Sequence, residues 1–157
     1  MTFRITALPA EPFAPLFALS DAELAQRAMI RRVADIKPGF PCRVSLEDAA
    51  AGDTVLLLNH EHLSAASPYR ARHAIYVRRG VAQARPEPSE VPEMLRRRPI
   101  SLRAYDAGGM ILAADLAEGA ALDGAITRLL APPEVAFLHL HNAKPGCYAA
   151  RVDPVRV

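Results

Sequence analysis

Apolar residues along this chain recur mostly at every second position, in short runs, and less often at helical spacing. The first run, Thr2 to Leu8, is halted by Pro9 and predicts a strand. Further strand-like runs cover Met29 to Ile36, Cys42 to Ser45, Thr54 to His60 and Tyr69 to Arg79. The leucine-rich run from Thr54 reads as buried on both faces. Ile100 to Tyr105 and Met110 to Asp115 flank Asp106-Ala107-Gly108-Gly109, a hairpin signature. Helical spacing is clearest at Leu122, Ile126, Leu129 and Leu130. Ser20 and Glu23 form a capping box ahead of Leu24, and Ser45 with Asp48 forms a second, with Gly52 as its stop. A short helix is expected over Glu93 to Arg98, after a proline-rich loop from Gly80 to Pro92. The pattern predicts an α+β fold: a curved, mostly antiparallel sheet of about nine short strands, with about four helices packed on one side.

Length narrows this to one domain over residues 1–157, since 157 residues bury about two-thirds of the surface an unfolded chain exposes. A 51% hydrophobic composition excludes a disordered chain. A net charge of +2 gives no field that favours nucleic acid or an anionic membrane, and neither partner is expected. No apolar run reaches the roughly 20 residues of a membrane span. The N-terminus shows no cationic stretch followed by an apolar core, so a cytoplasmic location is expected. The oligomeric state is left open between monomer and homodimer.

Candidate chemistry gathers in one place. Val135 to Arg151 reads as a buried strand, a tight turn and a second strand, carrying His139, His141, Asn142, Lys144 and Cys147. An echo lies upstream in Lys37 to Arg43, K-P-G-F-P-C-R, expected to begin with a type II turn in which Gly39 supplies a positive φ. The two lysines, two Pro-Gly pairs and two cysteines of the chain all fall in these segments. The expectation is that they meet at one cleft, with Cys42 and Cys147 on its flanks near His62 and His141. Glycine turns bring backbone N–H groups close to a bound anion, and two can hold its opposite ends.

Together K-P-G-F-P-C-R-V-S-L-E-D-A, V-L-L-L-N-H-E-H, S-P-Y-R-A-R-H-A-I-Y-V and H-L-H-N-A-K-P-G-C-Y-A-A-R-V resemble a bacterial family of small proteins classed as domain of unknown function 1203. The resemblance runs from Phe3 to Val152 and implies one domain. It implies no activity, cofactor or catalytic residue.

Function therefore rests on the residues. Cys147 with His141 and Asn142 is the candidate catalytic set, because cysteine, histidine and amide make a known nucleophilic arrangement. Against that stands a small buried cysteine at the start of a strand. His62, Arg70, Arg72, Lys144, Lys37 and Cys42 are the candidate ligand-binding residues, the cations suiting a carboxylate or phosphate. His73, on the face of Ile75 and Val77, reads as a core residue. The pairs His60/His62 and His139/His141 each project from one face of a strand and could converge on a metal if the strands were neighbours. The glutamate of the cupin pattern is absent, as are H-E-x-x-H and C-x-x-C, so no metal or other cofactor is expected. The leading expectation is a protein that binds a small anionic metabolite, or a cysteine/histidine-dependent enzyme acting on one. The alternatives are a non-catalytic interaction module and a redox-responsive protein using Cys42 and Cys147.

Overall fold

The computed structural model describes residues 1–156. It is α+β with two antiparallel sheets. The strands are β1 (Thr2–Thr6), β2 (Ile30–Val33), β3 (Thr54–Leu63), β4 (Ala71–Arg78), β5 (Pro99–Tyr105), β6 (Ile111–Glu118), β7 (Phe137–Asn142) and β8 (Tyr148–Val155). The helices are α1 (Asp21–Gln26), α2 (Glu93–Arg96) and α3 (Leu122–Leu130), with 3-10 turns at Ala14–Ala18 and Gly119–Ala121. One sheet has the order β1-β8-β7-β5-β6 and the other β2-β3-β4. The expected single curved sheet is thus two sheets: β2, β3 and β4 form one ladder set, joined among the described residues to no strand of the larger sheet, while β1 crosses to pair with β8 at the far end of the chain.

Alternation within the strands sets what each face meets. Ile100, Leu102, Ala104, Leu138, Leu140, Ala150 and Val152 turn one face of the larger sheet into the main core. Leu122, Ile126 and Leu130 of α3 pack into that core, as do Met94 and Leu95 of α2. A second core holds Leu56 and Leu58 of β3, Ile75 and Val77 of β4, and Leu24 of α1. Helices α2 and α3 therefore cover the larger sheet while α1 belongs with the smaller one, so the helices are not all on one side.

Several local expectations are met by the same physics that motivated them. The Ser20–Glu23 capping box forms in both directions, Ser20 Oγ accepting from Glu23 N and Glu23 Oε2 accepting from Ser20 N. The β5–β6 hairpin turns at Asp106 to Gly109, with Gly109 at φ +82°. Others are overridden. Ser45 to Gly52 is not a helix, because Asp48 is drawn into a buried ion pair with Arg98 instead of capping. Ala49 N donates to Phe40 O, which commits this segment's backbone elsewhere. Cys42 to Ser45 is not a strand and makes only an isolated bridge, Cys42 to Tyr76. Lys37–Pro38 is a cis peptide and Gly39 has no positive φ, so the type II turn expected there is not formed. Among the described residues no helix is long and apolar enough to cross a membrane.

Candidate functional site

The second face of the larger sheet is built differently from its core face. On β7 the residues between Leu138 and Leu140 and beyond them are Phe137, His139 and His141, and they turn toward the smaller sheet. Tyr148 of β8 stands opposite His141 in the ladder. From the smaller sheet, His73 lies on the same face of β4 as the buried Ile75 and Val77. His62 sits at a one-residue register shift, since Glu61 pairs with Arg72 while Leu63 pairs with Ala71. A second shift falls between Leu140 and His141, where β8 carries the extra residue. Such bulges re-aim side chains, and here both lie beside the imidazoles. The two H-x-H pairs do converge, through the packing of two sheets and not through adjacent strands.

Four imidazoles and a phenol form one cluster. The His62 ring lies nearly parallel to the Tyr148 ring, at a centroid distance of 4.9 Å, and to the His73 ring, at 4.8 Å. His73 Nδ1 lies 2.8 Å from His62 Nε2, and His62 Nδ1 lies 3.1 Å from His139 Nδ1. His141 Nδ1 is 3.0 Å from the carbonyl oxygen of Gly146. A carbonyl only accepts, so His141 Nδ1 carries the proton and Nε2 the lone pair. His141 Nε2 is buried and no hydrogen-bond donor among the described residues reaches it. Burial, followed by the charge His73 would carry, holds His62 down at about 4. Burial, then His62, holds His139 at about 3, and burial, then Arg103, takes His141 to about 2. All three are neutral at pH 7. Burial pushes the Tyr148 phenol up, so it too is uncharged.

Beside this cluster opens a cleft of about 640 Å³. His73 forms part of its wall, with Arg43, Arg97, Arg98, Lys144 and Cys147; Pro38, Gly39 and Pro145 also line it, and among the described residues no carboxylate does. Arg43 is 1% exposed. Its Nε donates to Tyr148 O at 2.8 Å, its Nη1 to Pro41 O at 2.6 Å and its Nη2 to Cys147 Sγ at 2.9 Å. None of the ion pairs among the described residues involves it. Burial works against its positive charge and the Cys147 sulfur works for it. Cys147 Sγ also accepts from Asn142 Nδ2 at 3.6 Å, while Asn142 Oδ1 is buried without a hydrogen-bond partner among the described residues. The turn that delivers Cys147 is closed by Gly146 N donating to Asn142 O and Asn142 N donating to Cys147 O, with Gly146 at φ +79°.

The sequence candidates divide accordingly. Lys144, Asn142 and Cys147 line the cleft, together with Pro38-Gly39 from the upstream echo. His62 and His141 lie in the imidazole cluster. His141 forms no hydrogen bond with Cys147, so no thiol–imidazole dyad stands ready. Cys42 is fully buried and its Sγ accepts from Ser45 N and Arg78 N, which removes it from the cleft wall; both cysteines are free. Lys37 lies in a separate depression with Glu47 and Glu90. Arg70 and Arg72 are exposed and paired with Glu61, on the face of the smaller sheet opposite the histidines. Two residues central to the geometry were not singled out for a site. His73 is in the cluster and not merely a core residue, and Arg43 is the buried cation. Their signals were parity with the other histidines and an arginine embedded in an apolar segment.

A family model described as protein of unknown function (DUF1203) matches residues 39–154. The chain belongs to the DUF1203 family. No curated protein and no solved structure matches it. The matched DUF1203 region begins after β2 and contains the four clustered histidines, Tyr148, Arg43 and Cys147.

Proposed function

We propose that the cleft binds a small anionic metabolite, with Arg43 and Lys144 as its counter-charges, Asn142 as its polar contact and Cys147 facing it. The observation that carries this reading is the buried guanidinium of Arg43, whose partners are two carbonyls and a sulfur. A cation removed from water needs an opposing charge, and the desolvation is costly without one. An anion in a wall that holds no carboxylate supplies it. Cys147 is the candidate nucleophile of this reading, its sulfur accepting from Arg43 Nη2 at 2.9 Å. Asn142 Nδ2 then orients that sulfur.

The test is thermal unfolding with inorganic phosphate, simple carboxylates and phosphate esters, each matched in ionic strength with chloride. A true ligand at 100 times its Kd stabilises by about 2.7 kcal/mol, or roughly 5–10 °C for a domain of this size. The same ligand should slow alkylation of the partly exposed Cys147 by iodoacetamide. The reading fails if no anion raises the midpoint above the chloride control. It fails equally if a stabilising anion leaves Cys147 alkylation unchanged.

A further inference from the structure

We propose that His62, His73 and His141 bind one divalent transition-metal ion at the inner end of the cleft. Each offers one ring nitrogen, and the three nitrogens lie within 4.8 Å of one another. Two imidazole nitrogens on one tetrahedral zinc sit roughly 3.3 Å apart, given bonds of about 2.0–2.1 Å. Small side-chain adjustments therefore close the set, and His73 is only partly buried.

The tautomers point the same way. His141 must keep its proton on Nδ1 for the Gly146 carbonyl, which leaves a buried Nε2 lone pair with no donor. A metal ligand whose other ring nitrogen donates to a carbonyl is the usual supporting arrangement around bound zinc. His62 can donate from Nδ1 to His139 Nδ1, which frees His62 Nε2, the nitrogen facing His73. His139 is then a positioning residue, one layer out from the ion. An all-imidazole set suits zinc, iron, nickel or copper, while magnesium and calcium ask for oxygen ligands. Three protein ligands leave a position open, as catalytic zinc sites do. His73 belongs to both the cluster and the cleft wall, so the ion would lie next to the cleft. The expectation of no metal rested on motifs within one segment; these ligands come from three strands of two sheets.

The metal assignment stands without the anion reading, and only their joint use depends on it. The experiment is titration of chelator-treated protein with cobalt(II) and then zinc(II), followed by visible absorption and by competition with a chromophoric chelator. One equivalent is expected to bind, with cobalt giving d–d bands of a four- or five-coordinate centre. His141→Ala and His73→Ala should each abolish those bands, while His60→Ala, whose ring packs on Phe13 outside the set, should retain them. His139→Phe should weaken binding by about 10- to 100-fold. Circular dichroism checks each fold; if His141→Ala does not fold, the partly exposed His73→Ala decides. Bands that persist in His73→Ala, or no stoichiometric complex in the wild type, overturn the assignment. Anion stabilisation measured on chelated protein reports on the cleft alone, so the two readings fail separately.

Discussion

Replacing Arg43 by methionine separates a ligand-binding cation from a structural clamp. Methionine keeps a long unbranched stem but removes three donors, so Tyr148 O, Pro41 O and Cys147 Sγ each lose a partner. Leaving two buried carbonyls unsatisfied costs about 1–3 kcal/mol each. Removing a buried cation that has no carboxylate partner returns a desolvation penalty of about the same size, several kcal/mol. The two nearly cancel, so the ligand-free variant should differ from wild type by no more than about 2 kcal/mol, a shift of roughly 4–8 °C at most. Anion binding has no such compensation. A hydrogen bond to a charged group contributes about 1.5–3 kcal/mol, so affinity for the best anion should fall about 10- to 150-fold. Thermal unfolding with and without the anion measures both quantities in one assay. An unchanged anion response would refute the assignment of Arg43 as counter-charge. A loss of more than about 5 kcal/mol without ligand would show that its bonds to two segments, not its charge, are what the fold uses.

Two further outcomes follow from the packing and the caps. A Cβ at Gly119 would lie 2.2 Å from Leu95 O and 2.4 Å from Arg96 C and O, all backbone, so Gly119→Ala should destabilise by about 3 kcal/mol or more. Chemical denaturation measures it, and a variant within 1 kcal/mol of wild type, a margin of roughly the usual surface effect, would show that the α2 end yields easily. Glu23 is held below its ordinary 4.5 by hydrogen bonds from Ser20, its backbone N–H first. A depressed carboxylate stabilises the fold above its unfolded pKa and loses that contribution as pH falls through the folded value. Glu23→Gln should therefore be less stable than wild type at pH 7, and the gap should close on titrating below pH 4.5. A gap independent of pH would mean the carboxylate's charge contributes nothing to the cap.

What could be read from the sequence was whatever is settled locally. The Ser20 cap, the Asp106–Gly109 hairpin and the apolar stripe of α3 depend on residues a few positions apart, and all three are formed. Ser45 and Asp48 have the same local signature as Ser20 and Glu23, yet Arg98, fifty positions away, claims Asp48. The division into two sheets was not legible, because β1 pairs with β8 across nearly the whole chain and no local pattern announces it. In the site, period-two spacing placed each H-x-H pair on one face. It did not show that His62 sits at a register shift, nor that two sheets would lay His62 and His73 against His139 and His141. His73 shares parity with the core residues Ile75 and Val77, but the fully buried face of β4 begins only at Ile75, two residues after it.

Strand β7 is buried at all six residues, with only Asn142 at its end reaching the cleft wall. It acts as a bulkhead, with hydrocarbon stowed on one side and nitrogen bases on the other. Leu138 and Leu140 belong to the first compartment, His139 and His141 to the second. Because successive side chains point oppositely, losing or gaining one residue within it would exchange the compartments' contents, driving two imidazoles into oil and two leucines among the bases. The ladders to β5 and β8 grip it from both edges, so no slippage could absorb the error. A strand that most folds would treat as replaceable hydrophobic filler is here a fixed-length part, and the spacing of the chemistry is written into its count of six.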